Sequence, residues 1–166
     1  MCIRDRFNFY IYPKTATSAN CGTVDSGVDT DMSWRDDDAV LHTTDLQDCT
    51  NPGLNHFSAE GQSTKAFLHE SGHGVFGLAD EYDGCGTYYF EPATEPNIFS
   101  TDAKCRAEQQ AKGRNQNACW KFTACQGGWY GIHQLSDGTV MQIGNVGNPW
   151  GTEAAEHVRW WFAQLK

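Results

Sequence analysis

The sequence predicts a single α+β domain stapled by disulfides. Three observations point there. Short runs of aromatic and β-branched residues precede residue 45, and helical periodicity follows residue 63. The chain has 166 residues, enough to bury one core. With an atypical N-terminal hexapeptide set aside, the cysteines are Cys21, Cys49, Cys85, Cys105, Cys119 and Cys125. An even set of this kind suits a disulfide framework and an oxidising compartment. Six cysteines allow fifteen pairings, and spacing does not choose among them.

The hexapeptide, residues 1–6 (MCIRDR), lacks the apolar stretch of a signal peptide. It reads as the translation of a sequencing adapter. The domain is therefore expected over residues 7–166, with its native beginning and any signal peptide lying upstream.

The elements follow in order. Residues 7–12 (FNFYIY) read as a strand stopped by Pro13. Residues 14–38 are polar and acidic and read as loop. Their carboxylates, at Asp25, Asp29, Asp31 and Asp36 to Asp38, could serve a Ca²⁺ ion, although their spacing matches no calcium loop. A solvated acidic loop is the plainer reading. Residues 39–44 (AVLHTT) read as a second strand. Residues 48–62 carry turn chemistry in Asn51-Pro52-Gly53 and Gly61.

Ser63 can cap a helix that starts at Thr64 and runs through apolar Ala66, Phe67, Val75 and Phe76. Gly72, Gly74 and Gly77 each weaken it by about 1 kcal/mol relative to Ala. Glycine at three positions in one stretch points to close packing or a ligand near the backbone. Residues 102–112 suit a polar surface helix. Residues 119–131 are rich in Cys, Gly and aromatics. Asp137-Gly138 is a turn leading into a short apolar segment, residues 139–143. The last helix spans 152–165, with Thr152 as its N-cap and Val158, Trp161, Phe162 and Leu165 as a core-facing stripe.

Charge and hydropathy exclude several classes of partner. Acids outnumber bases by 21 to 12, a net charge of −9. Without residues 1–6 the chain keeps 20 acids and 10 bases, a net of −10. This balance argues against nucleic acid and against anionic membrane surfaces. Mean hydropathy is −0.58, and no apolar run has membrane-spanning length.

The residues that carry chemistry are His69-Glu70-Ser71-Gly72-His73, an H-E-x-x-H. Positions i and i+4 share one helix face, so His69 and His73 can bind one Zn²⁺. Glu70 sits about 100° round the helix, where its carboxylate can reach a water on the metal. It can then serve as general base and return the proton as general acid. Chance supplies about 0.01 such matches in a chain of this composition, so an ordinary helix with two surface histidines is the weaker reading.

Catalytic zinc takes a third protein ligand and keeps a fourth position open. Asp80 is the choice, with Glu81 as alternative, Asp83 after it, and His133 and His157 more distant. On a continued helix, seven residues from His73 amount to about 10.5 Å of rise, so the chain has to break and fold back. Gly77 is placed to let it.

Residues 69–82 read HESGHGVFGLADEY. This resembles the H-E-x-x-H-x-x-x-G-L-x-D-E-Y signature of the clostridial-type IgA-peptidase family of zinc metallopeptidases, which have a metzincin-like fold. His69, Glu70, His73, Gly77, Leu78, Asp80, Glu81 and Tyr82 all fit. The glycine and the acid stand one step later than in the general metzincin pattern, whose positions hold Phe76 and Ala79 here. That offset leaves Asp80 and Glu81 both open as the third ligand.

The resemblance implies a small mixed sheet, a zinc-binding helix and a closing helix, with the upper subdomain incomplete in residues 7–62. It also implies a methionine turn, for which Asp137-Gly138-Thr139-Val140-Met141 is the match and Met141 the residue under the metal. Asp25-Ser26-Gly27-Val28-Asp29 matches a further stretch of the family weakly.

The expected activity is that of a secreted zinc-dependent endopeptidase acting on a protein or peptide. One zinc would be held by His69, His73 and Asp80, with Glu70 as base and acid. Tyr82 or Tyr130 could steady the oxyanion. A peptide would add as a strand to the sheet edge. The alternative is a non-catalytic, secreted, disulfide-rich module that binds protein or glycan through its many aromatics. Such a module has no need of Glu70.

Overall fold

The computed structural model describes residues 38–42, 49–51, 56–60, 63–82, 88–122, 128–132, 141 and 151–164. Several expectations lie outside these residues: the strand at 7–12, the acidic stretch before Asp38, Asp83, His133, the turn at 137–138 and Leu165.

Three short strands form a mixed sheet in the order β1-β3-β2: β1 Asp38–His42, β2 Cys49–Asn51 and β3 His56–Glu60. The central strand β3 pairs parallel with β1, from Asp38↔His56 to His42↔Glu60. It pairs antiparallel with β2, placing Thr50 opposite Phe57. This corrects the reading of residues 48–62 as turns. β2 is too short to show alternation, and the polar–apolar alternation of β3 (HFSAE) covers only five residues beside turn-forming Asn51-Pro52-Gly53 and Gly61. β1 covers residues 39–42 of the second expected strand; residues 43 and 44 lie outside the described residues.

Helix α1, Thr64–Gly74, lies against β3 and β2. Ser63 caps it as expected, its hydroxyl accepting the Ala66 N–H at 3.2 Å. The helix stops before Val75 and Phe76. Gly77 follows at φ 65°, the left-handed region that favours glycine. There the Gly77 N–H bonds to the His73 carbonyl and the Leu78 N–H reaches back to Gly72. Gly74 has a separate role. A Cβ on it would lie 3.1 Å from Phe57 Cδ1 and 3.4 Å from Thr50 Cγ2, so its bare backbone is what lets the sheet approach.

Helix α2, Asp102–Ala111, is the expected polar helix, capped by Thr101, with only Cys105 and Gln109 buried. Two strands the sequence does not announce follow: β4 Cys119–Lys121 and β5 Tyr130–Ile132, an antiparallel pair. A disulfide between Cys105 and Cys119 joins α2 to β4, and Cys49 is disulfide-bonded as well. Helix α3, Gly151–Gln164, begins one residue early, so Thr152 lies inside its first turn rather than at the cap.

The apolar residues gather in two clusters. Phe76, Leu78, Met141, Ala154 and Val158 form one, with Trp161 and Phe162 of the expected stripe packed against it. Ala79, Ile98 and Phe122 form the other, with Tyr89 and Trp120 beside it. Leu78 and Ala79 are neighbours in sequence yet enter different clusters. The chain between the two cores is thus pinned on both sides, and Asp80 is the next residue. No helix among the described residues is long and apolar enough to cross a membrane.

Candidate metal centre

His69 and His73 stand one turn apart on α1, and their Nε2 atoms face each other at 3.2 Å. The turn at Gly77 brings the chain back, so that Asp80 Oδ1 lies 3.3 Å from His69 Nε2 and 3.2 Å from His73 Nε2. The three atoms form a nearly equilateral triangle. An ion bonded to each at about 2.0 Å in tetrahedral geometry requires edges of about 3.3 Å, since a tetrahedron's edge is about 1.63 times its bond. The match supports a shared ion. Asp80 is fully buried, and neither of its oxygens accepts a hydrogen bond. A buried carboxylate without donors is costly unless a cation answers it. His69, His73 and Asp80 could hold a metal ion.

The surrounding backbone fixes these side chains. The Leu78 carbonyl lies 2.7 Å from His73 Nδ1. A carbonyl only accepts, so Nδ1 carries the proton and a neutral ring turns the Nε2 lone pair toward Asp80 and the site. The Tyr88 ring lies over His73 with centroids 4.4 Å apart, and its carbonyl accepts the Asp80 N–H at 3.1 Å. Asn97 grips the returning chain: its Oδ1 accepts from the Ala79 N–H at 3.1 Å and its Nδ2 donates to the Ala79 carbonyl at 2.7 Å.

Asn97 Nδ2 also donates to Glu81 Oε1 at 3.0 Å, and the Glu81 N–H bonds to the Met141 carbonyl at 3.0 Å. Of the two acids left open by the sequence, Asp80 meets the histidines and Glu81 faces Asn97. Met141 is fully buried beside Leu78 in the core under this loop.

Glu70 is buried at 5% exposure. The Thr50 hydroxyl donates to its Oε2 at 2.6 Å. Burial raises the Glu70 carboxyl above its ordinary range, against the pull of Thr50 and both histidines. Burial also pushes Asp80 upward, but the two imidazoles, when protonated, outweigh it and hold the carboxyl below its usual value. Only His69 opens to solvent, at 18% side-chain exposure, while His73 and Asp80 are closed off. Tyr82 borders the open side, its ring 6.2 Å from that of His69. Burial first, then the Asp80 charge, raises its phenol well above the ordinary range.

The remaining candidates serve elsewhere. His157 is turned to backbone carbonyls, with Nε2 2.6 Å from Phe76 O and Nδ1 2.8 Å from Thr94 O, which ties α3 to the core. Tyr130 pairs through its backbone with Phe99. Sequence reasoning missed Thr50, Tyr88 and Asn97. Each is an ordinary residue type, and Thr50 and Asn97 stand 20 and 18 positions from the residues they hold, so no local spacing marks them.

Comparison of the chain with models of known protein families, with curated proteins and with solved structures finds no match. What the site does has to be read from its own chemistry.

Proposed function

We propose that this chain is a zinc-dependent endopeptidase of the metzincin kind, as the signature over residues 69–82 resembles. The observation that carries the reading is the meeting of two imidazole nitrogens and the Asp80 carboxylate next to the buried Glu70. The donor set favours zinc. Imidazole suits a borderline ion, whereas Ca²⁺ and Mg²⁺ seek oxygen ligands. Among the described residues no fourth ligand joins the three, as a catalytic rather than a structural centre requires.

A bound zinc would supply Lewis acidity to a water and to the scissile carbonyl. The chain's own groups do the rest. His69 and His73 orient the centre, and the Leu78 carbonyl keeps His73 in the ligating tautomer. Glu70 takes the proton of the attacking water and delivers it to the leaving amine. The side of His69 and Tyr82 is where a substrate enters. The disulfide chemistry of Cys49, Cys105 and Cys119 supports a secreted protein.

The test is metal content together with cleavage of a generic protein substrate, on the wild type and on Glu70→Gln. One zinc in both proteins and cleavage by the wild type alone is the expected result. A well-folded wild type that takes up no zinc would sink the proposal.

A further inference from the structure

Glu70 and Gly74 are one turn apart on the same face of α1. Where Gly74 lacks a side chain, β2 and β3 come in close, and the Thr50 methyl group sits against the gap. The approach carries the Thr50 hydroxyl to Glu70, 2.6 Å from Oε2 and 3.0 Å from the Glu70 carbonyl. One hydroxyl proton cannot serve both, and the nearer, charged oxygen is the stronger acceptor. Thr50 is itself held at both ends of its backbone. Its N–H donates to the Tyr88 phenol at 3.0 Å, and that phenol donates to the Thr50 carbonyl at 2.6 Å. Tyr88 also lies over His73 and accepts the Asp80 N–H. Base and metal ligands are therefore referred to one common support.

We infer that Thr50 is a positioning residue for Glu70, engaging Oε2 so that the other oxygen is presented to the reacting water. The inference rests on the hydrolytic reading above and extends it to a residue on β2. A glutamate carboxylate turns about three side-chain torsions and explores many orientations, and a misplaced base costs rate rather than substrate affinity.

Two measurements test it together. The first is a double-mutant cycle in metal-free protein, Thr50→Val against Glu70→Ala, read by urea unfolding. The pair should be coupled by about ten-fold or more in the unfolding constant, the range for a hydrogen bond to a charged group. The second is zinc-loaded kinetics. Thr50→Val should lower kcat about ten-fold or more, with KM and zinc content unchanged, and Thr50→Ser should restore it. Where Val does not fold, Thr50→Ala removes the hydroxyl without crowding Gly74.

Absence of coupling, or full kcat in a folded variant without the hydroxyl, overturns the inference. A fall in zinc content or a rise in KM instead of kcat also overturns it. Coupling in a wild type that neither holds zinc nor cleaves would leave Thr50 bound to Glu70 and sink the hydrolytic reading instead.

Discussion

Asp80→Asn should make the metal-free protein more stable while abolishing its response to zinc. The carboxylate is fully buried, and no hydrogen bond reaches either oxygen. Leu78 holds a proton of His73 on Nδ1, so in the metal-binding form of the ring Nε2 turns a lone pair toward the acid across 3.2 Å. An unsatisfied buried charge of this sort costs about 3 kcal/mol. Asparagine has the same shape, carries no charge, and can donate from Nδ2 to that nitrogen. In a domain of this length 1 kcal/mol moves Tm by about 2–4 °C, so relief of about 2–3 kcal/mol predicts a rise of about 4–12 °C. Zinc at a thousand times its Kd contributes about 4 kcal/mol to the wild type, or roughly 8–16 °C, and nothing to the variant. The two melting temperatures should therefore cross. With chelator the variant melts higher, and with zinc the wild type does. The assay is thermal unfolding of both proteins at pH 8, with EDTA and with Zn²⁺. A variant less stable than wild type in chelator would show that the carboxylate is already compensated. An equal zinc response in both would show that Asp80 is not a ligand.

Other perturbations separate the neighbouring residues. Glu81→Gln should keep the full zinc-induced rise in Tm, because its carboxylate faces Asn97 and a glutamine oxygen can still accept there. Gly77→Ala forces a side chain onto φ 65° and should cost about 1–2 kcal/mol, with weaker zinc uptake by titration because the return of Asp80 depends on that turn. Glu156, between Arg114 and Lys112, has its carboxyl held low; burial opposes this, but the two cations outweigh it. A lowered folded pKa gives stability above the ordinary glutamate range that is lost as pH falls through the lowered value. The gap between wild type and Glu156→Gln, about 1 kcal/mol at pH 7 for partly exposed pairs, should close on acidification in urea titrations.

The parts legible in the sequence were those encoded by near neighbours. The Ser63 cap, the one-turn spacing of His69 and His73, the break at Gly77 and the apolar stripe of α3 all depend on residues within a few positions of each other. The sheet was harder to read. β3 alternates over only five residues, too few to stand out among the turn residues around it, while β2, β4 and β5 are three residues each. The choice between Asp80 and Glu81 turned on Asn97, and the hold on Glu70 turned on Thr50. Both arrive from distant chain, and neither residue type announces such a role.

The candidate ligands lie close together along the chain, whereas the residues that hold them and Glu70 do not. His69, His73 and Asp80 fall within residues 69–80, and a loop of about ten residues closes in roughly 10–100 ns. Thr50, which holds Glu70, comes from well before, and Asn97 and Met141, which hold the chain around Asp80, come from well after. The three candidate ligands are close in sequence, yet both Asp80 and Glu70 take their final places through contacts with distant chain. On the proposed reading, His69 and His73 can meet an ion early, while the buried third ligand and the base wait for Asn97 and Thr50. On that reading, hydrolytic competence arrives only with the last long-range contacts.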